Sequence, residues 1–130
     1  MMKPLLTIST LIFTVMFSST SFAGWTKVAE NVNGTYYVDF ERIRKHDDYI
    51  NFRELVDLLK PDKDGDLSYK LYQQGDCKLF RYKYLSSSNY KQSMGGGRGA
   101  IYNEPDKDWR YPSPYSINEI VLKSVCDYTK

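Results

Sequence analysis

Apolar and polar residues alternate over Trp25-Thr26-Lys27-Val28-Ala29, the period of a half-buried strand. Asn33-Gly34 follows, a pair that readily takes the positive-φ positions of a tight hairpin turn. Thr35 to Phe40, rich in Tyr and β-branched residues, predicts the returning strand. The alternation lapses over Asp39 to Lys45, where a short turn or single helical turn is expected, and returns from Asp48 to Leu59. There Ile50, Phe52, Val56 and Leu58 share one face, and Asn51, Arg53 and Asp57 share the other, with Leu55 and Leu59 out of phase. Strand is the preferred reading. A helix over Phe52 to Lys60 is the alternative, because Glu54 to Leu59 has fair helix propensity.

Pro61-Asp62-Lys63-Asp64-Gly65-Asp66 breaks the pattern, and its acids invite a calcium reading. An EF-hand loop wants Gly sixth and a bidentate Glu twelfth. Counting from Asp62, Gly65 is fourth and the twelfth residue is Gln73, so the segment reads as a solvated hairpin loop. Ser68 to Gln74 and Asp76 to about Tyr90 form a central pair of strands joined at Gly75, and Ser86-Ser87-Ser88 marks a bulge or bend. Gly95-Gly96-Gly97-Arg98-Gly99 is a flexible connector without the Lys-Ser/Thr ending of a phosphate-binding loop. Ala100 to Asn103 adds a last short strand. Trp109 to Tyr115 reads as extended, since each proline disfavours helix at the residue before it.

The capping box Ser116-Ile117-Asn118-Glu119 then opens the one well-marked helix. Ile117, Ile120, Val121 and Val125 recur at helical spacing as its buried stripe, widened by Leu122, and Cys126 falls in the last turn. The predicted class is α+β: a single antiparallel β-sheet of five to six strands with one C-terminal helix packed on one face.

The first 23 residues change the picture of where this domain works. Lys3, an apolar run from Leu5 to Phe17 and Ser21-Phe22-Ala23 have the layout of a cleaved signal peptide, with cleavage before Gly24. The alternative is a membrane anchor, but a run of about 13 apolar residues is short for ~30 Å of hydrocarbon. No Cys stands at the cleavage point, so no lipid anchor is expected, and the destination is the periplasm, the cell surface or the medium. Residues 24–130 then form a single domain.

Without Lys3 the chain holds 17 Lys and Arg against 16 Asp and Glu. That balance excludes the basic footprint of a nucleic-acid binder, and no block of like charge marks a membrane-surface patch. All 12 tyrosines fall after the leader, against three phenylalanines, Phe40, Phe52 and Phe80, which fits a sheet with a wet face or a binding surface.

Two cysteines in an exported chain pair most simply with each other, so Cys77 and Cys126 are expected as a disulfide tethering the helix to the sheet. A catalytic thiol is the alternative. It needs a nearby base, and the chain offers only His46, among charged residues in Lys45-His46-Asp47-Asp48. No HExxH, paired-cysteine metal site or GxSxG elbow is present. A binding protein is expected rather than an enzyme, with no metal and no cofactor read from the residues.

Counting along a strand from Cys77 puts Leu79, Arg81 and Lys83 on its face and Phe80, Tyr82 and Tyr84 on the other. With Cys77 turned to the helix, Phe80, Tyr82 and Tyr84 form an aromatic row facing away from it, a candidate binding or dimerisation face. The alternative is that sheet curvature folds these rings into a second small core. A homodimer through a sheet face or edge is a further expectation.

An ordered set of short matches runs along the chain: Trp25, Tyr37-Val38-Asp39, Ser68-Tyr69-Lys70, Asp76-Cys77 with Arg81-Tyr82, Met94-Gly95-Gly96-Gly97, Trp109 and Val125-Cys126. In these the chain resembles the surface-adhesin protein E family of Gram-negative bacteria. The resemblance implies about six antiparallel strands with a disulfide-linked C-terminal helix. It also implies exposure at the cell surface and binding of host matrix or plasma proteins such as vitronectin and laminin, with haem as a ligand in the founding member. The missing lipidation cysteine departs from that founding member, and a periplasmic binding or structural module is the alternative function.

Overall fold

The computed structural model describes residues 24–130, so the signal-peptide reading lies outside the described residues. Seven antiparallel strands make one sheet: β1 (Thr26–Glu30), β2 (Gly34–Val38), β3 (Arg44–His46), β4 (Tyr49–Leu58), β5 (Ser68–Asp76), β6 (Arg81–Tyr90) and β7 (Gly99–Tyr102). The order across the sheet is β1-β2-β4-β5-β6-β7, and β3 pairs with the first residues of β4 on the side where β2 pairs with its last. One helix, α1 (Ile117–Tyr128), packs on one face. The expected class holds. The strand beyond the expected five or six is β3, a three-residue arm that closes on β4 through Asp47 at φ 57° and carries too little alternation to read.

The β1–β2 turn is built differently from the expected Asn-Gly type. Asn31 Oδ1 accepts from the amides of Asn33 (2.9 Å) and Gly34 (3.1 Å), an Asx-type turn one step earlier in the chain. Gly34 itself lies in β2, where a Cβ would stand 2.3 Å from the Asp57 carbonyl oxygen. Glycine is required there by close backbone approach, not by a left-handed dihedral.

Along β4 the alternation is real, and tertiary packing overrides the helix propensity of its second half. Ile50 and Phe52 point to α1, joined by Val38, Tyr82, Val121, Leu122 and Val125 in the main core. Leu55, out of phase in sequence, is fully buried on the opposite face, and Tyr37 pairs with it there across from β2. Gly75 is not the β5–β6 junction. It is a buried position of β5 where a Cβ would meet Leu122, Ile50 and Phe52, so its missing side chain lets the helix settle on the sheet.

Ser116 caps α1 by accepting from the Glu119 amide at 3.1 Å, and Glu119 Oε1 accepts from the Tyr115 amide at 3.0 Å. Val121, Leu122 and Val125 are almost wholly buried, and burial of such side chains stabilises by about 1.5–3 kcal/mol each. Ile120, expected in the stripe, is 41% exposed. The helix meets the sheet along 117/121/122/125 instead, with Leu122 on the Gly75 flat.

Candidate binding face of the sheet

The disulfide joins Cys77 to Cys126, with Cα atoms 5.6 Å apart. Cys77, however, is not in a strand. Asp76 ends β5, and its Oδ1 accepts from the amides of Lys78 (3.1 Å) and Leu79 (3.2 Å), turning the chain over Cys77 to Phe80. Phe80 closes the turn at φ 53°, and strand alternation starts afresh at Arg81.

That turn corrects the placement of the aromatic row. Tyr82 pairs with Gly75, so Tyr82 and Tyr84 face the helix, not away from it. Tyr82 is 6% exposed in the main core, and its hydroxyl accepts from Asn118 Nδ2 of α1 at 2.9 Å. Tyr84 meets it edge-on at 5.6 Å, and Phe80 packs at the core's margin beside the disulfide. The Asp76 side chain just before the cysteine is the sequence signal for the turn.

On the same face lies a group the alternation argument passed over. Glu54 occupies an inward position between Phe52 and Val56 and is 2% exposed, with Gln73 Nε2 donating to its Oε1 at 2.6 Å. Burial pushes its pKa up to about 7, only partly opposed by Gln73. A carboxyl that holds its proton more tightly when folded stabilises below its unfolded pKa, near 4.5, and loses that contribution as pH rises through about 7. Glu54→Gln is therefore expected to raise stability by roughly 3 kcal/mol at pH 8 and to change it little at pH 4. Urea midpoints of variant and parent across that range measure it; a gain that is the same at every pH would contradict the assignment. Asp76 behaves oppositely. Burial alone would raise its pKa, but hydrogen bonds from Arg81 and the turn amides hold it below the usual value, so its contribution is lost in acid.

The face that α1 leaves open is built from alternate residues of β4, β5 and β6. Successive rungs are Asn51–Gln74–Lys83, Arg53–Tyr72–Ser86 and Leu55–Lys70–Ser88, displaced at β6 by a bulge at Leu85. Each cation rests on a ring: Arg53 over Tyr72 at 4.8 Å, Lys70 over Tyr90 at 5.1 Å, and Lys83 over Trp109 at 4.7 Å. Among the described residues none of the three has a carboxylate within 4.0 Å. The two acids of these strands on this face are engaged, Asp57 by the Met94 amide at 2.7 Å and Asp76 by Arg81 at 2.9 Å.

Trp109 reaches this face on a strap. Asp106 and Arg110 bond to the β6 backbone at Tyr84 and Tyr82, and Arg110 Nε meets Asp106 Oδ2 at 2.7 Å. Trp109 then packs against Tyr49 at 5.2 Å, with Arg81 also over its ring at 4.4 Å.

The acidic loop brings Asp62, Asp64 and Asp66 together, but Lys91 supplies the charge: its Nζ lies 3.0 Å from Asp66 Oδ1 and donates to the Asp64 carbonyl at 2.7 Å. A haem would want an axial ligand in an apolar cleft. His46, the histidine considered for it, is exposed on β3 and does not sit in such a cleft.

A family model described as surface-adhesin protein E matches residues 25–127. The chain belongs to the surface-adhesin protein E family. Comparison with curated proteins gives no match. Among solved structures, crystal form II of Haemophilus influenzae protein E is similar at a TM-score of 0.65 and 21% identity, covering 85% of this chain and 93% of that one. Another structure of Haemophilus influenzae protein E gives 0.62 at 20% identity, covering 82% and 86%. The selenomethionine form of that protein gives 0.63 at 19%, covering 82% and 88%. At such identities the likeness is one of fold.

Within this member of the protein E family, the residues that carried the resemblance now have places. Asp76 turns the chain, Cys77 and Cys126 bridge it, Tyr82 fills the core and Trp109 supplies the ring under Lys83. Among the described residues no helix is long and apolar enough to cross a membrane.

Proposed function

We propose that the chain is an exported, non-enzymatic binding protein of adhesin type, and that its contact surface is the open face of the sheet. One observation carries the reading. Arg53, Lys70 and Lys83 stand on three neighbouring strands, each held by a ring and none in a direct ion pair, although Asp106 lies near enough to Lys83 to feel its charge. Three cations outside direct ion pairs on a half-buried face leave charge to meet an acidic partner. Family membership supports a protein partner, and the partner proposed is a host protein such as vitronectin or laminin, met at the cell surface. Phe80 is proposed as a marginal contact only, because it lines a concavity of about 510 Å³ next to the disulfide.

The mature protein should bind immobilised vitronectin or laminin, and the Arg53→Glu/Lys70→Glu/Lys83→Glu variant, folded by circular dichroism, should bind at least tenfold more weakly. Protease treatment of intact cells runs beside it. Digestion on whole cells supports the adhesin reading. Protection until the outer membrane is opened overturns it in favour of a periplasmic module with no host ligand.

A further inference from the structure

The chemistry of the open face narrows its ligand further, given that this face is the contact surface. We infer that it binds an acidic polysaccharide, whose sulfate or carboxylate groups sit on Arg53, Lys70 and Lys83.

The cations form a track, not a cluster. Same-face residues along a strand are about 7 Å apart and neighbouring strands about 4.8 Å apart, so backbone positions put Arg53 about 8 Å from Lys70 and about 12 Å from Lys83. One linear chain with repeated acidic groups reaches all three. Between Arg53 and Lys70 the sheet dips into a depression of about 200 Å³ whose walls include Tyr72, Ser86 and Ser88. Two serine hydroxyls and two cations around one shallow hollow offer charge-assisted and neutral hydrogen bonds to the oxygens of a single sulfate or carboxylate.

The same face lacks the buried anchors of a tight protein–protein contact, so a host protein would be met there by charge alone. A folded protein takes most of its affinity from aromatic or aliphatic anchors buried at the centre of contact. Leu55 is already fully buried here, and the rings of Tyr72, Tyr90 and Trp109 carry cations over them. Single-stranded nucleic acid needs free ring faces for its bases, and these are covered. A polyanionic chain needs neither. It binds by displacing counterions along a charged track, as the phosphate backbone does on other basic surfaces.

Heparin is the probe, with desulfated heparin and poly-glutamate beside it. The mature protein should bind heparin, should bind desulfated heparin more weakly, and should lose affinity with salt. Three contacts at the per-charge slope of a linear polyanion give roughly 15- to 40-fold between 50 and 200 mM NaCl. Arg53→Gln and Lys70→Gln should each reduce the logarithmic salt slope by about 0.7–0.9. Lys78→Gln on the β5–β6 turn and Lys123→Gln on α1 should leave it unchanged.

Heparin binding that survives in Arg53→Gln/Lys70→Gln/Lys83→Gln, or preference for poly-glutamate over heparin, overturns the inference. If heparin fails while the charge-reversed variant still loses vitronectin or laminin, the polysaccharide falls and the contact face stands. If that variant binds the host proteins as the parent does, the contact face falls as well.

Discussion

Tyr82→Ser is expected to leave much of the protein unfolded near 37 °C. Removing a buried aromatic ring from a packed core costs about 3–5 kcal/mol, against a total of about 5–15 kcal/mol for a domain of this kind. Tyr82 is 6% exposed and touches both halves of the core, with Gly75 beside it in the sheet and Asn118 on its hydroxyl from the helix. The serine would leave a cavity and strand the Asn118 amide. Tyr72→Ser is the matched control. Its half-buried ring lies on the open face under Arg53, so it should cost on the order of 1 kcal/mol, the loss of one cation–π contact and some packing. Thermal melts of the two variants decide it. Equal, small losses would place Tyr82 outside the core.

The second large effect is loss of the Cys77–Cys126 bridge. Closing a loop of 49 residues restricts the unfolded chain by about 4 kcal/mol in the loop-entropy account. Cys77→Ser/Cys126→Ser should lower the urea midpoint by a corresponding margin, and the parent under reducing conditions should match it. The bridge does a local job too, since the end of α1 is otherwise held to the β5–β6 turn only at the core's edge. Proteolysis of the reduced protein should cut first near Tyr128 and Leu79, both well exposed. A midpoint unchanged by reduction would show that packing alone fixes the helix.

Much of the fold was legible because it is written in local terms. The alternation at Ile50 and Phe52, the cap at Ser116 and Glu119, and the helical spacing of Val121 and Val125 each report a periodicity that only one element satisfies. Two cysteines in the whole chain left one simple pairing. The candidate site was legible only in its residues. Tyr82 and Tyr84 stand out in the sequence as a row, but their face depends on whether Cys77 lies in a strand or a turn, and a one-residue change of register exchanges the faces. Asp76, whose carboxylate binds the amides of Lys78 and Leu79, settled that question through a side chain that a hydrophobic pattern does not weigh.

The open face was beyond reading for a different reason. Arg53, Lys70, Lys83 and Trp109 are spread over 57 residues of chain, and in the sequence each looks like an ordinary solvated residue of a nearly neutral protein. The strand order places the three cations on adjacent strands, and a strap along the edge of β6 delivers Trp109 to the last of them. By itself the sequence determined most of the elements, the helix cap, the bridge and the family, because these follow from spacing along one chain. The tertiary structure alone decided that Tyr82 is core, with Phe80 and Tyr84 packed against it, and that the opposite face carries three cations outside direct ion pairs. Which side of a sheet a residue occupies, and what stands across from it, depends on pairing between strands distant in sequence.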